Sequence, residues 1–159
     1  MADLSEFEVR LRRLEDIEAL KQLKAQYCAA CDDGYDADRL ASLFTEDAVW
    51  DATTGDFGRH EGREAICAFF AGVSGPISWA PHCKIAPAIE VADGLRTATG
   101  TWYIFSPSTI NGEAMWVMGR YADRYRNDGG GWRLSEVVVD IEAVTPFDAG
   151  WVEQQFLSA

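Results

Sequence analysis

The sequence predicts an α+β fold in which three N-terminal helices pack on a curved antiparallel sheet. Three observations carry this expectation. An early run places apolar residues at helical spacing with no Gly or Pro. The second half holds long stretches rich in β-branched and aromatic residues, separated by short turn sequences. The 159 residues, 48% hydrophobic and 25% charged, suffice for one core and show no linker, repeat or low-complexity segment. One domain over residues 1–159 is expected.

The elements follow in order. From about Ser5 to Cys31, Phe7, Leu11, Leu14, Ile17, Leu20, Leu23, Tyr27 and Ala30 recur every three or four residues, which predicts one long amphipathic helix. It should stop at "DDGYD", where Gly34 can terminate it and Asp36 can cap a second short helix, "ADRLASLF". "AVWDAT" reads as a short strand, "GREAICAFFAG" as a third helix, and "VSGPISWAP" as a connection. "CKIAPAIEV", "RTATGTWYIFS", "EAMWVMGRYADRYR" and "GWRLSEVVVDIEAV" read as strands, and the turns "ADGL", "PSTING" and "NDGGG" favour antiparallel neighbours.

Composition removes several function classes. A net charge of −12 repels phosphate backbones and anionic headgroups, so neither nucleic acid nor a membrane surface is an expected partner. The N-terminus carries charges where a signal peptide needs an apolar run, and a cytoplasmic location is expected. Four cysteines then read as reduced thiols. Cys28 and Cys31 form a C-x-x-C near the end of a helix rather than at its start, and no second Cys or His pair completes a zinc set. No metal is expected. A Gly-rich phosphate loop, a G-x-S-x-G elbow and an H-E-x-x-H helix are all missing from the sequence.

A sheet curved against helices can enclose an apolar cavity. Trp50, Trp79, Trp102, Tyr103, Phe105, Trp116 and Tyr121 lie on the expected strands and connections, where they either line such a cavity or fill an ordinary core. His82 stands just before a strand, where an imidazole can reach a pocket mouth. A base there needs a partner that fixes its tautomer and balances its charge, and Asp32 at the end of the first helix is the candidate. The same residues also fit a structural histidine and a helix-end aspartate. His60, among charged neighbours, reads as a surface residue. Tyr27 precedes Asp32 by five residues, an offset of roughly 140° on an ideal helix, so it either packs in the core or shares a pocket with Asp32 through a distorted helix end or an approach from a different side.

The stretches "DIEALKQLKAQYCAACDDGYDADRLASLFTEDAVW", "GREAICAFF", "HCKIAPAIEV", "TATGTWYIF" and "VTPFDAGW" together resemble the SnoaL-like branch of the nuclear-transport-factor-2-like superfamily. The resemblance runs from about Asp16 to Trp151 and, within the family, towards lyases of the bile acid dehydratase and hexachlorocyclohexane dehydrochlorinase type. It implies a cone-shaped, cystatin-like α+β barrel and elimination of water or HCl from a hydrophobic polycyclic or alicyclic molecule, such as a steroid, without a cofactor. His82 becomes the proton-abstracting base, Asp32 its orienting partner and Tyr27 a hydrogen-bond donor to substrate. Trp50, Trp79, Tyr103, Phe105, Ser106 and Trp116 become candidate substrate contacts. Where the dehydratase type carries an assisting aspartate and arginine, this chain has Ser106 and Ile141. The resemblance also implies a homo-oligomer, a trimer ahead of a dimer. A ketosteroid-type isomerase and a non-catalytic binding protein are the alternatives that use the same cavity.

Overall fold

The computed structural model describes residues 4–156. Helix α1 spans Leu4–Asp32 and ends with Gly34 at φ +80°, and Asp36 then caps α2, Ala37–Ser42, its Oδ1 accepting from Arg39 N–H at 3.0 Å. Strand β1 (Phe44–Ala52) follows, then a single 3₁₀ turn, β2 (Gly58–Glu61) and α3 (Arg63–Val73). Strand β3 is the short Ile77–Trp79. The long strands are β4 (Cys83–Val91), β5 (Thr97–Ile110), β6 (Glu113–Asn127) and β7 (Trp132–Pro146), and a short α4 covers Gly150–Glu153.

All seven strands join one sheet in the order β2-β1-β7-β6-β5-β3, with β4 also paired to β5. The expected antiparallel sheet is in fact mixed, because β1 runs parallel to β7. The short turns constrain only β4 to β7 to alternate. β1 and β7 are linked through every intervening element, and either direction is open to such a pair. The charged "GRHE" is the edge strand β2, and its His60 stacks on Phe69 at 4.2 Å instead of lying free on the surface.

Curvature comes from bulges. Register shifts fall between Ile85 and Ala88 in β4, and opposite Met118/Gly119 and Arg124/Tyr125 along β6. Each extra residue bends its strand and increases the local twist. Gly119 makes one of these shifts possible: a Cβ there would lie 2.2 Å from the Asp140 carbonyl oxygen.

The sheet wraps α1 to α3 around a core in which Leu20, Leu40, Phe44, Ile66, Leu134 and Val137 are fully buried. Only the second half of α1 takes part. Phe7, Leu11 and Leu14 belong to its apolar stripe, yet they are 59%, 46% and 65% exposed. At 29 residues the helix is about 43 Å long, more than the sheet can cover.

The core also holds an ion pair. Lys24 Nζ stands 2.8 Å from Asp123 Oδ2 with both side chains buried, Tyr125 OH donates to the same carboxylate at 2.8 Å, and Trp102 Nε1–H donates to Tyr125 OH at 3.2 Å. Every charge in this network has a partner, and removing one strands the other. Asp123→Asn should therefore lower stability by about 3–5 kcal/mol in urea unfolding. Gly119→Ala should cost more than about 1 kcal/mol, because the clash is with backbone rather than with a mobile side chain. An unchanged midpoint for either variant would show that the network or the bulge can relax freely.

Candidate active site

α1 and β4 meet at the mouth of the cone. Asp32, in the last turn of α1, accepts two hydrogen bonds at Oδ1: from His82 N–H at 2.9 Å and from His82 Nδ1 at 2.8 Å. The carboxylate can only accept, so Nδ1 carries the imidazole proton and Nε2 is left as an acceptor. Nε2 faces the interior, 3.5 Å from the Tyr35 hydroxyl. The Tyr35 backbone is left-handed, at φ +60°, and its ring stacks on Phe70.

Behind His82 is a partly open cavity of about 70 Å³. Trp50, Phe57, Phe69, Phe70, Ile104 and Ile141 form most of its apolar wall, and its polar groups are Tyr27, Tyr35, His82, Ser106, Ser108 and Tyr121. Tyr27 OH accepts from Trp50 Nε1–H at 3.0 Å. Ser106 and Ser108, both buried, lie with their hydroxyl oxygens 3.1 Å apart.

The electrostatics keep these groups in useful states. Burial pushes His82 below its ordinary value; the Asp32 hydrogen bond opposes this and the Lys84 ammonium reinforces it. Burial also acts to raise Asp32, but the two hydrogen bonds from His82 outweigh it and hold the carboxyl below its usual range. Burial drives Tyr27 and Tyr121 well above a normal phenol, with a hydrogen bond from Tyr27 pulling Tyr121 part of the way back. The cavity thus presents a neutral base beside protonated donors. Burial pushes the Cys31 thiol up to about 12, so it is no thiolate nucleophile. Among the described residues, no group of three or more His, Cys, Asp or Glu side chains is placed to hold a metal ion.

The structure brings His82, Asp32 and Tyr27 to one place, Asp32 at the rim and Tyr27 in the floor, and adds Trp50 and Ser106 to the wall. The other expected contacts lie elsewhere. Tyr103 and Phe105 are 51% and 37% exposed, on the face of β5 opposite Ile104 and Ser106. Trp116 stacks on Phe105 at 5.0 Å on that outer side, and Trp79 is 59% exposed. Alternation is the reason: on one strand 103 and 105 cannot share a face with 104 and 106. Tyr35, Ser108 and Lys84 went unnoticed in the sequence. Tyr35 sits in a turn that reads as a cap, and Lys84, on a strand, reads as a lysine facing water.

Two consequences of the dyad can be measured. His82 should titrate below 6.5 in an NMR pH series. Because the unfolded chain then binds a proton that the folded chain refuses, stability should fall as pH drops from 6.5 through the folded pKa, and His82→Gln should flatten that slope.

Comparison with known proteins agrees with this architecture. A provisional aromatic ring hydroxylase from Novosphingobium aromaticivorans DSM is 28% identical, with a TM-score of 0.77 over 84% of this chain and 94% of its own. A nuclear-transport-factor-2-like protein with a cystatin-like fold, from the same source, is 25% identical with a TM-score of 0.72 over 96% of both chains. The hexachlorocyclohexane dehydrochlorinase LinA-type3 from Novosphingobium barchaimii LL02 is 20% identical, with a TM-score of 0.77 over 94% of this chain and 99% of its own. The curled sheet, the cone closed by helices and a match to the SnoaL-like domain over residues 12–138 place the chain in the SnoaL-like family of the nuclear-transport-factor-2-like superfamily.

Proposed function

We propose that the protein is a cofactor-independent lyase that removes water or HCl from an apolar ring compound. The observation that carries this reading is the unprotonated Nε2 of His82, on the cavity side with the Tyr35 hydroxyl at 3.5 Å and backed by Asp32 on the other nitrogen. His82 Nε2 takes a proton from carbon, the C–H electrons form the new double bond, and the leaving group departs from the neighbouring carbon with its bonding pair. Asp32 balances the imidazolium. Tyr121 and Ser106 line the cavity as donors for the oxygen or halide on which negative charge develops, and Tyr27, whose hydroxyl proton goes to Tyr121, supports that donor. The dehydrochlorinase likeness supports elimination as the reaction class.

Size narrows the substrate. At about 70 Å³ the cavity is smaller than the ~150 Å³ that takes up benzene in an engineered core. Single-ring alicyclic compounds, chlorinated or hydroxylated, therefore fit with the least displacement of Phe57 and Phe69, and a steroid needs the mouth to open further. A ketosteroid-type isomerase is the second reading. It is favoured by the neutral Ser106 and Ile141 in the wall, which offer a leaving group no charged acid, whereas a proton returned by His82 needs none.

The outer sheet face also needs a partner. Ile85, Tyr103 and Phe105 are 37–51% exposed, and Trp116 stacks on Phe105 and makes a tilted contact with Phe147, itself 59% exposed. Such patches are rare on monomers, and further copies of the chain, a trimer ahead of a dimer, are the proposed cover.

Incubation without cofactor, with chlorinated alicyclics and hydroxylated or ketone-bearing ring compounds including steroids, tests the chemistry by mass spectrometry. A loss of water or HCl that falls about 10²–10⁴-fold in His82→Ala, and substantially in Asp32→Asn, is expected. Turnover by His82→Ala would sink the mechanism. A product of unchanged mass would select the isomerase, and retention of one compound by both proteins would select a binding protein. Light scattering should give about three times 17.6 kDa, and a monomer would refute the assembly.

A further inference from the structure

The floor of the cavity is backed by charge. Lys84 follows His82 by two residues, so both side chains leave the same face of the chain. Its Nζ is covered, stands 4.3 Å from the centre of the Tyr121 ring and has no hydrogen-bond partner among the described residues. Lys24 Nζ rests on the same ring at 3.8 Å, but Asp123 at 2.8 Å neutralises it. Lys84 is thus the ammonium under the Tyr121 ring that no direct carboxylate contact neutralises, with Asp123 and Asp32 acting on it only through space.

We propose that Lys84 is a positioning residue that supplies this positive charge, acting on substrate through the Tyr121 ring and hydroxyl, and on His82 through space. Its kinetic consequence rests on the lyase reading, whereas its effect on His82 does not. A buried ammonium without a partner carboxylate opposes folding, and packing alone would be served as well by a methionine of similar length. An ammonium on the face of a tyrosine ring draws electron density from the hydroxyl and makes it a stronger donor. Negative charge arising on an atom hydrogen-bonded to Tyr121 then meets the Lys84 cation behind the ring.

The groups facing Lys84 set the pH range of this effect. Lys24, Cys28, Cys31 and Asp32 face it from α1, His82 from its own segment, and Tyr121 and Asp123 from β6, while Lys21 lines the adjoining cleft. Burial pushes Lys84 down to about 8, with the Lys24 charge adding to it and the Asp123 carboxylate opposing. The cation is present at neutral pH and lost above about pH 8. As a cation it is also one of the causes that keep His82 neutral.

Lys84→Met and Lys84→Arg test this. In Lys84→Met the His82 titration, followed by NMR on the free protein, should move up in pH. Its kcat should fall roughly tenfold, the scale of one unit charge acting across ~10 Å at an effective dielectric of ~20, with KM little changed. The descending limb of the pH–rate profile near pH 8 should vanish, and the thermal midpoint should rise because a buried charge is gone. Lys84→Arg should restore kcat and keep it at alkaline pH, since a guanidinium does not deprotonate there. An unmoved His82 titration with unchanged kcat in Lys84→Met, whatever its midpoint, overturns the proposal. If no compound is turned over the lyase reading fails, but the His82 titration in Lys84→Met still decides whether Lys84 acts on the site.

Discussion

One carboxylate oxygen, Asp32 Oδ1, joins the end of α1 to the start of β4 by accepting both a backbone and a side-chain hydrogen bond from His82. Everything at the mouth of the cone depends on that contact. It fixes which imidazole nitrogen holds the proton, and so which one faces the cavity. It also anchors the helix end from which Gly34 and Tyr35 turn back under the left-handed backbone that brings the Tyr35 hydroxyl to His82. A helix displaced by one residue would send the carboxylate roughly 100° away and leave the imidazole without its partner.

The cavity depends in turn on strand irregularity. A flat sheet would press its inner face against α1 and α3 and leave no space. The bulges at Gly119 and beside Tyr125 bend β6 and β7 around the helices, so Tyr121, Val139 and Ile141, side by side on the inner face, line the cavity. The Lys24–Asp123 pair, with Tyr125 and Trp102, fills the region below with satisfied polar groups. That network rigidifies the floor on which Tyr27 and Tyr121 stand.

Much of this was legible in the residues. The interval between Phe7 and Ala30 showed the helix, Gly34 and Asp36 marked its end and the next beginning, and the pairing of His82 with Asp32 followed from what a base requires. The strand faces were less legible, for a physical reason. β5 carries aromatic or large apolar groups on both sides, Trp102 and Ile104 inward, Tyr103 and Phe105 outward, so alternation alone does not say which set is buried. The parallel β1–β7 pairing leaves no local signature in either strand. Lys84 was passed over because a lysine on an edge strand usually faces water, and only the packed structure shows its Nζ covered by an aromatic ring.

The two ends of the dyad meet different surroundings. The His82 side chain is 10% exposed, whereas Asp32 is 41% exposed and borders an open cleft on the far side of the wall. A carboxylate left partly in water keeps its charge at little desolvation cost, whereas the imidazole that it holds is largely desolvated and stays neutral. The dyad thus divides one requirement between two surroundings: charge is kept where water supports it, and the basic nitrogen is kept on the side where the cavity lies.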